Sequence, residues 1–302
     1  MNHFGDNLIN ISEQKKTVLV VGLDPQISLL PRSLLDTRDS EIKTKEIARS
    51  IIEFNKIIID AVSAHVVAIK PQLAYYEIFG SVGIYALEET IKYARTKGLS
   101  IINDAKRGDI GPTAEAYANA YLSDTPTSGD AVTVNPFLGS DGILPFVKMT
   151  NQAKGLFILL KTSNPSANEL QDLKISSGSF LYEHLALLIK KMSIDTVGKS
   201  GFSSIGAVVG ATYPQVAKQL RNTLPETIFL VPGYGAQGGN VKNLNCFFNS
   251  AGNGAVVSST RDIIYSYINE FPQDWKNLSK SRVQEVIEAK TIKARDELNS
   301  IR

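Results

Sequence analysis

Residues 99–113 read LSIINDAKRGDIGPT. The run that opens the stretch, Leu99 to Ile102, reads as a buried β-strand, because its β-branched residues are not broken by polar alternation. Asp104, Lys106, Arg107 and Asp109 follow at once. Pro112 then suits the first turn of a helix over 112–122. A buried strand that ends in dense charge just before a helix is the pattern to seek in the rest of the chain.

It recurs. Apolar runs rich in Val and Ile also stand at 17–23, 65–70, 131–135, 155–161, 204–210, 227–233 and 254–259. They are nearly continuous, as parallel strands covered on both faces should be. Between the first two, Ile47, Ile51, Phe54, Ile58 and Val62 fall on one stripe and predict a helix. Segments 80–97, 141–152, 178–193, 214–222 and 240–250 also read as helices. Eight such strands alternating with helices predict an α/β fold, a (β/α)8 TIM barrel, with a doubly wound sheet as the structural alternative.

No linker or shift in composition divides the 302 residues, so one domain is expected over 1–302, its barrel at about 17–270. Val283, Ile287, Ala294, Leu298 and Ile301 predict an additional terminal helix at about 279–300. With 32 Lys and Arg against 30 Asp and Glu, the net charge of +2 is too mild to suggest nucleic acid or a membrane. The single cysteine, Cys246, allows no internal disulfide and suits a reducing compartment. One Cys and 3 His argue against structural zinc. The N-terminal MNHFGDNLINISEQKK lacks a signal-peptide pattern, and no apolar stretch approaches the roughly 20 residues of a bilayer span. A soluble cytoplasmic protein is expected.

In a parallel barrel the chemistry collects at the C-terminal ends of the strands. There the chain places Asp24, Lys70, Asp104 with Lys106, Asn135, Lys161 to Ser163, Thr212, PGYGAQGG and SSTRD. Residues i and i+2 share a face of a strand, so Asp104 and Lys106 should both look into the mouth while Ala105 looks out. Lys70 can reach the same cavity from the neighbouring strand. Asp109, on the following loop, can swing back or reach a second subunit. The result is an alternating Lys-Asp-Lys-Asp array, in which each opposite pair at about 4 Å is worth roughly 4 kcal/mol before desolvation.

GYGAQG, residues 233–238, satisfies the glycine pattern of a dinucleotide-binding turn. It follows the seventh strand, however, and no acidic residue ends the next one. Loops after strands 7 and 8 of a barrel commonly bind phosphate, which suits Gly235, Gly238 and Gly239, with Gln237 and Arg261 as donors.

Taken in order, VGLDP, IKPQLAYYE, DAKRGDIGPT, VNPFLG, LLKTSNPSA, VPGYGAQGG and SSTRDI resemble the orotidine 5'-phosphate decarboxylases, specifically their longer, mainly bacterial type 2 subgroup. The resemblance implies conversion of orotidine 5'-monophosphate to UMP in de novo pyrimidine synthesis by a homodimer with shared active sites. It implies no metal and no organic cofactor. Asp24 and Lys70 would contact the ribose hydroxyls, Asp104 would lie beside the substrate carboxylate, and Lys106 would protonate C6. Asp109, Ile110 and Thr113 would enter the partner's site. Ser163 would bond the pyrimidine, while Gln237, Arg261 and the loop at Gly235 and Gly238 would hold the phosphate. Segments 163–177 and 235–240 are the candidate lids. Another phosphosugar lyase of the same superfamily, a Schiff-base aldolase using Lys106, and a catalytically silent nucleotide-binding barrel remain the alternatives.

Overall fold

The computed structural model describes residues 3–35, 44–234 and 241–302. Helix α1 (Phe4–Lys15) leads into β1 (Leu19–Leu23), and α2 (Thr44–Val62) into β2 (Ala68–Pro71). The short α3 (Ala74–Glu77) and long α4 (Gly80–Thr96) precede β3 (Ser100–Arg107). Next come α5 (Gly111–Leu122), β4 (Ala131–Val134), α6 (Ser140–Lys148) and β5 (Gly155–Lys161). They are followed by α7 (Asn168–Gln171), α8 (Leu181–Ser193), β6 (Ile205–Val209), α9 (Pro214–Thr223) and β7 (Phe229–Pro232). The chain ends with β8 (Ala255–Ser259), α10 (Arg261–Ile264), α11 (Ser266–Glu270) and α12 (Lys280–Asn299). Each strand pairs in parallel with its successor, and β8 returns to β1 in parallel, so the sheet closes into the expected barrel.

Strand alternation sorts the core into two layers. Leu19, Val21, Ile69, Ile101, Val132, Ile158 and Val257 point outward, beneath the helices. Val20, Ala68, Ile102, Ala131, Phe157, Val208, Leu230 and Val256 fill the barrel interior. The stripe foreseen on α2 is the face it buries: Ile51, Phe54, Ile58 and Val62 are wholly buried. Against α2 packs α12, with Val283, Ile287, Ala294 and Leu298 buried.

Three local readings need correction. Helix α1 was not foreseen. It plugs the N-terminal end of the barrel, where Phe4, Leu8 and Ile9 join the interior cluster. The Phe4 ring meets Phe157 edge-on at 6.0 Å. A side chain at position 155 would collide with it, which is why glycine stands there. The segment read as a helix over 240–250 is instead a 3-10 helix, Val241–Phe247. Asn243 and Asn245 have low helix propensity, and the Asn245 side chain is turned to the C-terminal end of the chain, where its Nδ2 donates to Ile301 O at 2.6 Å. Strand β2 starts only at Ala68, because His65 N–H closes the end of α2 by donating to Val62 O. His65 Nδ1 faces Arg295 Nη1 on α12 at 3.0 Å, a contact that ties the end of α2 to the terminal helix. Among the described residues no helix is long and apolar enough to cross a membrane.

Candidate active site

The inner face turns polar on climbing each of the first four strands. Above the interior residues Val20, Ala68, Ile102 and Ala131 come Asp24, Lys70, Asp104 and Thr133, each an even number of residues further along. Two-residue periodicity therefore carries these side chains to the C-terminal mouth. At that mouth lies a cavity of about 830 Å³ that Lys70, Asp104, Lys106, Thr133, Asn135 and Ser163 line. Beyond them the cavity continues beneath α8, along Leu181, Leu185 and Leu188.

Asp104 is the hub. Its Oδ2 accepts from Lys70 Nζ at 2.7 Å and Gln72 Nε2 at 3.1 Å. Its Oδ1 accepts from Lys106 Nζ at 2.5 Å and Thr133 Oγ1 at 3.0 Å. Burial alone would push this carboxyl up, but the ammonium groups of Lys70 and Lys106 outweigh it and hold the group well below the usual carboxylate range. Lys70 mirrors that balance: burial draws its pKa down, and Asp104 with Asp24 more than restores it, so the ammonium form is favoured. Asp24 goes the other way. Burial, helped by Asp104, raises its pKa against the pull of Lys70 and Arg261. Its Oδ1 is buried with no hydrogen-bond partner among the described residues.

Lys106 does not sit on a regular strand. Asn103 pairs with Val132 but Arg107 pairs with Val134, so β3 advances four residues while β4 advances two. A bulge absorbs the excess. Lys106 occupies the left-handed region, with φ 48, and its N–H donates to Thr133 Oγ1 at 2.9 Å. Alternation alone correctly put Asp104 and Lys106 on one side; the bulge is how the chain achieves it while carrying Lys106 up to the open rim. Its side chain stays 45% exposed against 10% for Asp104.

The other foreseen residues are distributed around this hub. Ser163 lines the cavity from the end of β5, where Gln171 Oε1 accepts from Thr162 N at 3.0 Å and Asp172 Oδ1 accepts from Lys161 Nζ at 2.5 Å. Arg261, after β8, is exposed and donates to Tyr75 OH at 3.4 Å. Asp109 stands apart from the charged cluster in the single chain; its Oδ1 accepts the Ile110 N–H at 2.8 Å. Within the single chain the second carboxylate acting on Lys70, after Asp104, is that of Asp24. Ile110 and Thr113 are exposed at the start of α5. Gly235, Gln237, Gly238 and Gly239 lie outside the described residues.

Sequence reading missed Gln72 and Thr133, both bonded to Asp104. The signal was present: each lies two residues from a position already singled out, Lys70 or Asn135. The assembled chemistry is an ammonium group with one side tied to a charged carboxylate and the other open to a cavity. Such a group can meet developing negative charge and hand over a proton.

Residues 17–266 match the sequence model of the family described as "Orotidine 5'-phosphate decarboxylase / HUMPS family". An orotidine 5'-phosphate decarboxylase of Caldicellulosiruptor saccharolyticus is 41% identical, the alignment covering 96% of this chain and 99% of that one. Another, of Rhodopirellula baltica, is 40% identical over 93% of this chain and 94% of its own. Among solved structures, the OMP decarboxylase of Leishmania donovani superposes with a TM-score of 0.74 at 29% identity, covering 99% of this chain and 98% of that chain.

Proposed function

The chain belongs to the orotidine 5'-phosphate decarboxylase / HUMPS family, and on that footing we propose that it decarboxylates orotidine 5'-monophosphate to UMP, in the cytoplasm, as a step of pyrimidine biosynthesis. The observation that carries the reading is the Lys106 ammonium, 2.5 Å from Asp104 at the cavity wall yet nearly half exposed. Cleavage of the C6–carboxylate bond leaves its electron pair on C6 and releases CO2. Lys106 stabilises that charge and transfers a proton to C6. Asp104 lies beside the departing carboxylate, and Lys70 with Asp24 meets the ribose hydroxyls.

Ser163 takes the pyrimidine edge. Arg261, with Gln237 and the glycine loop at Gly235 and Gly238, takes the 5'-phosphate. Binding energy from that remote phosphate serves closure and exclusion of water. Asp109, Ile110 and Thr113 complete the site of a second subunit. In support of a homodimer, Ile78, Ile110 and Phe137 are 70%, 55% and 75% exposed on the loops that follow β2, β3 and β4. Apolar side chains on adjacent rim loops mark a surface suited to a partner.

The test is turnover of orotidine 5'-monophosphate in the presence of EDTA, followed by ultraviolet absorbance. The reading calls for no metal and no organic cofactor, so activity should survive the chelator, whereas a magnesium-dependent lyase would lose it. Lys106→Ala should abolish turnover while circular dichroism stays unchanged. A wild-type protein without turnover refutes the assignment. Light scattering that finds only monomer removes the shared-site part alone.

A further inference from the structure

Among the described residues three non-glycine positions have positive φ: Lys16, Lys106 and Ala153. Lys16 and Ala153 cap the C-terminal ends of helical segments, where the left-handed conformation is routine. Lys106 caps nothing. It lies inside a strand, and a bulky L-residue stays in that region only where its surroundings over-determine it.

Two contacts do so. Ahead of it, the Lys106 N–H is fastened to Thr133. Behind it stands Arg107, whose Nη1 turns back to donate to Ala105 O at 3.0 Å. The residue after Lys106 thereby holds the carbonyl of the residue before it, closing a ring around position 106. The far side of the same guanidinium is anchored twice. Nη2 donates to Tyr121 OH at 3.2 Å and to Glu77 Oε1. Its plane also faces the rings of Tyr117 and Tyr121, at 5.7 and 5.6 Å. Glu77 ends α3 and both tyrosines belong to α5, so the ring is braced from both flanks of β3.

We propose that Arg107 is a positioning residue, clamping the β3 bulge so that the Lys106 ammonium is held on the cavity side beside Asp104. This rests on the reading of Lys106 as the proton donor. A planar fork is what the task needs, since one group must bond a local carbonyl and two distant anchors together. A misplacement of about 1 Å at such a donor costs on the order of 100-fold in rate.

Arg107→Met should therefore lower kcat about 100-fold, with the Kd for UMP held within about threefold, because the groups that grip the nucleotide are untouched. Arg107→Lys keeps the charge but not the fork, so it should recover little of the loss; a simple ion pair with Glu77 would be rescued by it. Tyr121→Phe removes one anchor and tests the clamp even where Arg107→Met fails to fold: kcat should fall several-fold with UMP affinity unchanged. A kcat within twofold of wild type in Arg107→Met, or in Tyr121→Phe if Arg107→Met fails to fold, overturns the proposal. So do full rescue by Arg107→Lys and a parallel loss of kcat and UMP affinity. Wild-type turnover measured alongside separates the two ideas: an inactive wild type refutes the decarboxylase reading and the clamp with it, whereas an active wild type with an equally active Arg107→Met refutes the clamp alone.

Discussion

Replacing Asp104 with asparagine removes one charge from a cluster that has little water to replace it. Lys70 lies 2.7 Å away, with its side chain only 8% exposed. Stripping one partner from such a buried pair costs about 3–5 kcal/mol, because the remaining charge is left uncompensated. The bond to Lys106 adds well under about 1 kcal/mol, since that ammonium is nearly half exposed and rehydrates. At a urea slope of about 3 kcal/mol/M, the midpoint at pH 7 should fall by at least about 1 M. The deficit has a shape in pH. Asp104 is held below its usual value of 3.8, so its stabilisation of the wild type is present above that value and is lost as pH falls through the lowered one. The gap to the variant should begin to close below about pH 4. On the alkaline side, Lys70 in the wild type is raised above 10.5, so its stabilisation is complete below that value and is lost only as pH rises through the raised one. In the variant, burial without Asp104 depresses Lys70 instead, so deprotonation relieves the strain and the gap should narrow before pH 10.5 is reached. Urea titrations at fixed protein concentration across this range provide the assay. A deficit below about 1 kcal/mol at pH 7, or one that does not vary with pH, would refute the account of the cluster.

Asp24→Asn should act in the opposite direction on stability. The Asp24 pKa is raised, so its charged form opposes folding at neutral pH and that penalty fades as pH falls through the raised value. Relief of about 1 kcal/mol should raise Tm by about 2 °C at pH 7, with the gain shrinking in acid and UMP binding weakened; a lower Tm in calorimetry would contradict this. Arg221→Met should lower Tm by about 10 °C, since the buried guanidinium donates to the carbonyls of Phe247, Leu224, Pro225, Thr227 and Gly254 and several would lose their partner. Phe4→Ala should cost about 3–5 kcal/mol in urea unfolding while kcat stays near wild type, because the plug fills the end of the barrel away from the mouth.

The barrel was legible because every strand is covered on both faces, which demands runs such as TVLVVGL and GLFILLK that little else in a soluble protein produces. The hub was legible for a related reason: Lys70 and Asp104 end such runs, and charge at the end of a buried strand has few uses. What stayed hidden depends on contacts that no local pattern encodes. Helix α1 packs against the open end of a cylinder, so Phe4, Leu8 and Ile9 match a surface that exists only after closure. The bulge at Lys106 carries no glycine to mark its left-handed turn. Arg107 finds Glu77 thirty residues away, across a different strand connection. Lys161 and Gln171 secure the segment behind Ser163 through partners 11 and 9 residues off, a spacing with no periodic signature.

Along the barrel axis the energetics divide. At the N-terminal end, α1 closes the interior with fully packed aromatic and aliphatic side chains, and Arg221 satisfies the carbonyls where α9 meets β7 and β8. At the C-terminal end, Asp24 holds a buried oxygen without a partner among the described residues, and Lys106 holds a backbone conformation that costs about 1–3 kcal/mol. Both unfavourable features lie on the rim that carries the charged cluster, and neither improves packing. A rim shaped for stability alone would lose both. Their persistence on one end of a well-packed cylinder is what the proposed binding and proton transfer at that end would require. It also explains why Asp24→Asn and Phe4→Ala should move Tm in opposite directions, since the two positions sit at opposite ends of the same closed barrel.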